Sequence, residues 1–169
     1  SWNSTQLQTL RKWFPFTKKN SFAEFDYSTV VTAVYDMAKT KTGAIIVITN
    51  QNDLSFYANT GDKINAKLSC RLLESIFCKN SPLHDGAVII SGEKIVAARC
   101  VLPVSDDEQI DARYGMRHRA SLGISEVSDS FTIIVSEETG EVGYAKNGKL
   151  KHNIQKEDLI KLIQRDAKK

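Results

Sequence analysis

Three short apolar runs limit most strongly the folds that are open to this chain. They lie at residues 44–48, 87–90 and 131–135, and they are rich in β-branched residues. Runs of this length and composition, apolar at nearly every position, predict strands that are buried on both faces of a sheet. The chain must therefore build its core around a covered sheet, with helices supplying the cover.

Helical spacing of apolar residues fills much of the sequence between these runs. The predicted helices occupy residues 28–41, 66–78, 115–127 and a segment around 159–163. The predicted strands occupy residues 44–48, 54–58, 87–90, 95–101, 131–135 and 142–146, the last leading to a tight turn at Asn147-Gly148. Helices that alternate with apolar strands predict an α/β fold: a single domain with a mixed central β-sheet flanked by helices.

Length and composition set the domain organisation. With 169 residues and 41% hydrophobic content, the chain is one domain that can bury a core without disulfides. The predicted parts are an N-terminal arm at 1–27, the main domain at 28–155, and a C-terminal helix and tail at 156–169. The arm is rich in aromatic residues, so it either packs on the domain or once adjoined a membrane or a partner.

Several classes of function are disfavoured. The net charge of +3 is too small to indicate nucleic-acid binding. Three cysteines without a CxxC pair favour a reduced, intracellular protein. The sequence contains no GxxxxGK[ST] loop, no GxGxxG motif and no GxSxG motif. Any phosphate binding must therefore depend on arginines and backbone amides.

The first candidate cluster is His84-Asp85-Gly86-Ala87, which follows a predicted helix and opens an apolar strand. A carboxylate beside an imidazole suits Mn²⁺ or a similar ion, and a carboxylate can also accept a proton. The two small residues would let a ligand approach the backbone. Alone, Asp-Gly is also a routine turn, and a lone histidine is more often a hydrogen-bonded surface residue.

Two further clusters carry phosphate-type chemistry. Arg117, His118 and Arg119 follow Gly115, where helix N-terminal amides and guanidinium groups could surround a polyphosphate. Arg117 and Arg119 are two apart, so within a helix they would point in different directions. Residues 136–138 (Ser-Glu-Glu) leave the end of a buried strand, a common ligand position. The alternative to a phosphate site is a solvated basic turn at 117–119 and an acidic turn at 136–138.

Four motifs in this order closely resemble the bacterial diadenylate cyclase family, in its membrane-anchored class; they lie at residues 82–87, 117–120, 123–126 and 134–140. The resemblance implies that two ATP molecules condense to cyclic di-AMP and two pyrophosphates. It implies a divalent metal, which is Mn²⁺, Mg²⁺ or Co²⁺. Because the product is symmetric, it also implies a face-to-face homodimer for catalysis.

The resemblance also assigns roles to residues. The implied catalytic residues are Asp85, Arg117, His118 and Arg119. The implied ATP-binding residues are Gly86, Ala87, Leu102, Met116, Arg117, Arg119, Ser136 and Glu138. The implied metal ligands are His84, Asp85 and Glu138. Two positions depart from the family pattern: Met116 stands where many relatives carry threonine, and Val101 stands where close relatives often carry tyrosine.

Location and partners follow from the same resemblance. It implies the cytoplasmic face of the bacterial cell membrane, reached through a segment that this chain lacks. The expected partners are ATP, a second copy of the chain and a protein regulator, without nucleic acid. The main alternative is a catalytically weak nucleotide-binding sensor on the same fold. A nucleic-acid-binding module would show a steep salt dependence, and a structural adaptor would ignore ATP.

Overall fold

The computed structural model describes residues 26–167, which form five helices and one seven-stranded sheet. The helices are α1 (Ser28–Lys39), α2 (Ser55–Ala58), α3 (Cys70–Phe77), α4 (Met116–Val127) and α5 (Lys156–Ala167). The strands are β1 (Ala44–Ile48), β2 (Asp62–Lys67), β3 (Ala87–Ser91), β4 (Lys94–Cys100), β5 (Phe131–Val135), β6 (Val142–Lys146) and β7 (Lys149–Lys151). The predicted arm falls almost wholly outside the described residues.

The sheet has the strand order β2-β4-β3-β1-β5-β6-β7. Its central pair, β1 and β3, is parallel, and the other neighbouring strands are antiparallel. The predicted fold class, one α/β domain with a mixed central sheet, is confirmed. The three apolar runs that predicted it became β1, β3 and β5, which are neighbours at the centre of the sheet.

Helices cover both faces of the sheet, which explains why the central strands are apolar at nearly every position. In β1, Ile46 and Ile48 join the core under α1, α3 and α5, whereas Ile45 and Val47 join the core under α4. All four side chains are buried. Each contributes roughly 1.5–3 kcal/mol relative to an exposed side chain, so the two faces together hold β1 in the middle of the molecule.

Strand register brings three chain segments to one edge of the sheet. Ala44 at the start of β1 pairs with Val135 at the end of β5. Ile46 pairs with Val88 near the start of β3. Because β1 runs parallel to β3 and antiparallel to β5, residues just before β1, just before β3 and just after β5 lie side by side. Two of the candidate clusters, residues 84–87 and 136–138, meet there.

Helix α4 is fixed close to the segment that follows β4. A Cβ on Gly123 would lie 1.9 Å from the Pro103 carbonyl oxygen, so only glycine permits this approach. The Ser105 backbone N–H donates to the Arg119 carbonyl oxygen at 3.0 Å. The predicted helix at 115–127 is therefore present, and its glycine is a packing requirement. No helix among residues 26–167 is both long and apolar enough to cross a membrane.

Two predicted elements are wrong. Residues 54–58 are a short helix, because the Asp53 carboxylate accepts from the Ser55 backbone N–H at 2.8 Å and so starts a helical turn. The predicted helix at 66–78 begins later, at Cys70, with the Ser69 side chain accepting from the Leu72 N–H. Asn65, which directly precedes the predicted helix and so was its candidate N-cap, lies instead inside β2 at a bulge with a φ of 48°.

Candidate functional site

His84 and Asp85 lie in a tight turn between α3 and β3. The Ser81 carbonyl oxygen accepts from the His84 backbone N–H and lies 2.7 Å from the His84 Nδ1 atom. A carbonyl oxygen can only accept, so this contact places the imidazole proton on Nδ1. The Nε2 atom then keeps its lone pair, which suits a metal ligand or a proton acceptor. The Asp85 side chain beside it is exposed.

The small residues after Asp85 serve the packing of the sheet. Gly86 has a φ of 135°, and a Cβ there would lie 2.8 Å from the Arg99 Cα atom. Ala87 is fully buried and pairs with Cys100 of β4. The close approach that the structure shows at these two residues is therefore that of β4 and not that of a ligand. Nucleotide contact by Gly86 and Ala87 stays a prediction.

The basic cluster opens α4, with Gly115 as the N-cap. Arg117 is largely covered, with 24% of its side chain exposed, and its Nη1 atom lies 3.2 Å from Glu137 Oε1. Arg119 turns toward the segment after β4, where its Nη1 atom lies 3.5 Å from the Asp107 carbonyl oxygen. The two guanidinium groups thus diverge, as their spacing in a helix predicts.

His118 is buried within a group of three rings. Its ring centroid lies 4.6 Å from that of Tyr114, and Tyr114 stacks on His152 with centroids 4.0 Å apart. Burial lowers the pKa of His118 to about 4, with smaller contributions from His152 and Arg117. His118 is therefore neutral near pH 7. The positive charge of the cluster resides on its two arginines.

The turn after β5 is held by Ser136. Its hydroxyl oxygen accepts from the backbone N–H groups of Glu138 and Thr139, both at 3.2 Å. The hydroxyl proton remains available for donation to a ligand. Glu137 and Glu138 are exposed, and Glu137 forms the ion pair with Arg117. The sequence placed Glu137 in the candidate cluster at 136–138, but the resemblance gave roles only to Ser136 and Glu138.

The turn before β3, the start of α4 and the turn after β5 line one cavity of about 560 Å³. Seven predicted site residues line it: His84, Asp85, Met116, Arg117, His118, Ser136 and Glu138. Four do not: Gly86, Ala87, Leu102 and Arg119. Leu102 lies instead in the core beside Ile124. The cavity also has lining residues that the sequence did not predict, including Tyr114, Thr139 and Glu141.

The donor set of the cavity fits a divalent ion that is shared with a ligand. His84, Asp85 and Glu138 offer an imidazole nitrogen and carboxylate oxygens, which suit Mn²⁺ or Mg²⁺. Their ligand atoms do not converge within 4.8 Å of one another; within residues 26–167, Asp36, Cys70 and Glu74 do. An ion in the cavity would therefore need further ligands, such as phosphate oxygens or water.

A second cavity, of about 490 Å³, lies at the opposite edge of the sheet, beyond the ends of β1 and β3. Its lining includes carboxamide side chains at residues 50–52, 59 and 65. Lys63 is the one cationic residue among its described lining residues. This cavity therefore lacks the paired acid and guanidinium chemistry of the first.

The family profile described as DAC, the DisA bacterial checkpoint controller nucleotide-binding domain, matches residues 31–150. The chain is 47% identical to the cyclic di-AMP synthase CdaA of Bacillus subtilis over 140 residues, 83% of this chain and 51% of that protein. It is 42% identical to a diadenylate cyclase of Listeria monocytogenes over 161 residues, 93% of this chain and 59% of that protein. The chain thus spans about half of the length of these curated relatives.

Solved structures agree with these relatives. A double cysteine variant of DacA from Staphylococcus aureus superposes with a TM-score of 0.81 at 46% identity, covering 83% of this chain and 93% of that one. A hypothetical membrane spanning protein from Bacillus cereus superposes with a TM-score of 0.73 at 41% identity, covering 76% and 63%. Since the family profile also matches well over half of the sequence, this chain belongs to the DAC family of DisA-type nucleotide-binding domains.

Proposed function

We propose that this chain is a diadenylate cyclase domain, which condenses two ATP molecules into cyclic di-AMP and two pyrophosphates. One observation carries the proposal: the Asp85 and His84 turn and Arg117 line the same cavity, although Asp85 and Arg117 lie 32 positions apart in the chain. A nucleotide in this cavity would lie beside both the Asp85 carboxylate and the Arg117 guanidinium. The names of the matched Bacillus and Listeria relatives support the same reaction.

The reaction joins each ribose 3′-oxygen to the α-phosphorus of the other ATP. The bond from that phosphorus to the pyrophosphate oxygen breaks, and the 3′-hydroxyl proton leaves to a base. Asp85, exposed in the cavity, is the proposed base. Arg117 would stabilise the charge on the phosphates, and Ser136 would donate its free hydroxyl proton to a phosphate oxygen.

Several of the implied roles remain proposals. His118 is neutral and would contact phosphate as a hydrogen-bond partner rather than as a cation. Met116, exposed in the cavity wall, offers apolar contact to the nucleotide. Arg119, Leu102, Gly86 and Ala87 lie outside the cavity, so their proposed contacts require a nucleotide that extends beyond it.

A divalent ion would be held by His84, Asp85 and Glu138 together with substrate oxygens. When bound, it would supply positive charge at the reacting phosphate. Mn²⁺, Mg²⁺ and Co²⁺ are the proposed candidates. The protein groups themselves orient the nucleotide: the Ser81 carbonyl fixes the His84 ring, and Glu137 holds the Arg117 guanidinium.

The symmetry of the product requires two nucleotides arranged antiparallel. One cavity of this size holds one triphosphate, so turnover requires two chains that face each other. We also propose that the protein has a protein regulator and that it is attached at the cytoplasmic face of the membrane. The similarity to a membrane spanning protein of Bacillus cereus supports the membrane part.

A nucleotide-binding sensor with weak catalysis is the second candidate. The exposed Met116 side chain in the cavity favours it, because a thioether is a poor hydrogen-bond partner for phosphate. The sensor would bind ATP as the cyclase does and release little pyrophosphate.

One assay separates the two candidates. The purified chain is incubated with ATP and Mn²⁺, and cyclic di-AMP and pyrophosphate are quantified. The cyclase yields one cyclic di-AMP for every two pyrophosphates. Asp85→Asn is expected to abolish both products while binding ATP, because a carboxamide is neither a base nor a good ligand for a hard cation. A wild-type rate in Asp85→Asn would remove that residue from the chemistry.

A further inference from the structure

Gly43 lies directly before β1, at the sheet edge that carries the cavity. The pairing of Ala44 with Val135 brings Gly43 beside the turn that follows β5. Glu137 belongs to that turn. Gly43 itself does not line the cavity. It carries no side chain, and it lies outside all four sequence motifs.

The Arg117 guanidinium occupies the space where a side chain at position 43 would begin. A Cβ built on Gly43 would lie 2.6 Å from Cζ, 2.8 Å from Nη1 and 2.9 Å from Nε of Arg117. All three distances are below any ordinary contact to a Cβ atom. Three atoms of one guanidinium at nearly equal distance mean that its flat face lies over the position that this Cβ would occupy.

The same guanidinium is held from the side by the Glu137 carboxylate, at 3.2 Å from Nη1. Only 24% of the Arg117 side chain is exposed. A long cation that is covered on one face and ion-paired at its edge has few alternative positions. The absence of a side chain at position 43 is therefore one of the two features that fix Arg117.

We propose that Gly43 is a positioning residue for nucleotide binding, acting only through Arg117. It leaves the space in which the guanidinium lies flat beside Glu137, facing the triphosphate. This inference rests on the proposed function, because it gives Arg117 a phosphate to bind. The Gly43 φ lies outside the left-handed region, so alanine fits the backbone and its effect there is steric.

Alanine at this position must displace the guanidinium, because the neighbouring backbone of β1 is fixed at the centre of the sheet. Displacements of about 1 Å at a binding group can reduce catalytic efficiency about 100-fold. We therefore expect Gly43→Ala to weaken the binding of 3′-deoxy-ATP, an analogue without the attacking hydroxyl, at least about 10-fold. The apparent KM for ATP should rise accordingly.

The decisive experiment repeats this substitution in an Arg117→Lys background. A lysine stem is flexible and carries no planar fork, so it can move away from the new methyl group. Dissociation constants for 3′-deoxy-ATP are measured by calorimetry for wild type, Gly43→Ala, Arg117→Lys and the double variant. Thermal unfolding of all four is recorded beside them. Thr42→Ala is the neighbouring control, since its hydroxyl bonds only locally to Thr40.

The proposal predicts a loss of at least about 10-fold for Gly43→Ala with Arg117 present and less than about twofold with lysine there. Equal losses in both backgrounds, or a failure to fold in both, would show a general structural role and overturn it. Unchanged affinity in Gly43→Ala would overturn it as well. If wild type neither binds the analogue nor makes cyclic di-AMP, the proposed function itself has failed, which is a distinct result.

Discussion

Buried, neutral His118 makes the stability of this domain depend on pH. Its ring lies beside those of Tyr114 and His152, and Arg117 directly precedes it in the same helix. Burial lowers its pKa from 6.5 to about 4, and the nearby His152 and Arg117 contribute to the same shift. Burial likewise lowers the pKa of His152, aided by Arg113. The folded domain therefore resists protonation of both rings.

The size of the effect follows from the two His118 pKa values. Between them, the unfolded chain binds the proton and the folded chain does not, so stability falls as the pH falls. The full stability is present above pH 6.5 and decreases toward pH 4. At pH 5, His118 alone should reduce the free energy of unfolding by about 2 kcal/mol relative to pH 7.5, and below pH 4 by about 3 kcal/mol.

Urea unfolding of wild type and His118→Gln at pH 7.5 and pH 5 measures this effect. Both proteins contain the same carboxylates and His152, so those contributions largely cancel in the difference between the two pH responses. Wild type should lose about 2 kcal/mol more than the variant on acidification. Equal losses in the two proteins would refute the burial argument and would allow His118 to act as a cation.

Two further predictions concern the stability of the domain. Gly86→Ala should lower the free energy of unfolding in urea by at least about 2 kcal/mol, because alanine would have to adopt a φ of 135° and its Cβ would clash with the Arg99 backbone. The control is Gly115→Ala, whose Cβ would meet nothing within 4 Å and which should cost less than about 1 kcal/mol; equal costs would contradict the argument. Lys146→Met should cost about 3–5 kcal/mol, because it leaves the buried Asp166 carboxylate, now 2.9 Å from the ammonium, without its partner. An equally or more stable methionine variant, by the same unfolding measurement, would show that this ion pair contributes nothing.

Local sequence determined the centre of the sheet but not its edges. The mostly apolar runs at β1, β3 and β5 could be predicted because burial on both faces of a sheet strongly favours apolar residues. Strand β2, with alternating exposed and half-buried residues, was missed, because its stability comes from pairing with β4. The same holds for β7, with its three residues paired to β6. Such edge strands depend on tertiary contacts that no local pattern records.

The candidate site was predictable where chemistry is concentrated in short motifs. Asp85 and Arg117 could be chosen from their residue types, and the structure places both at one cavity. The part that Gly43 plays and the ion pair of Glu137 could not be predicted, because both depend on distances to the Arg117 guanidinium. His118 was grouped with the cations from its neighbours, whereas its burial beneath Tyr114 makes it neutral.

The central claim is that the cavity containing Asp85 and Arg117 holds the triphosphate. Its most direct measurement is the dissociation constant of 3′-deoxy-ATP for wild type, Arg117→Ala and Lys63→Ala, the last lying in the other cavity. Loss of one charged phosphate contact, roughly 1.5–3 kcal/mol, should weaken binding to Arg117→Ala about 10- to 150-fold and leave Lys63→Ala unchanged. Weakened binding in Lys63→Ala with normal binding in Arg117→Ala would place the nucleotide at the opposite edge of the sheet and contradict the account.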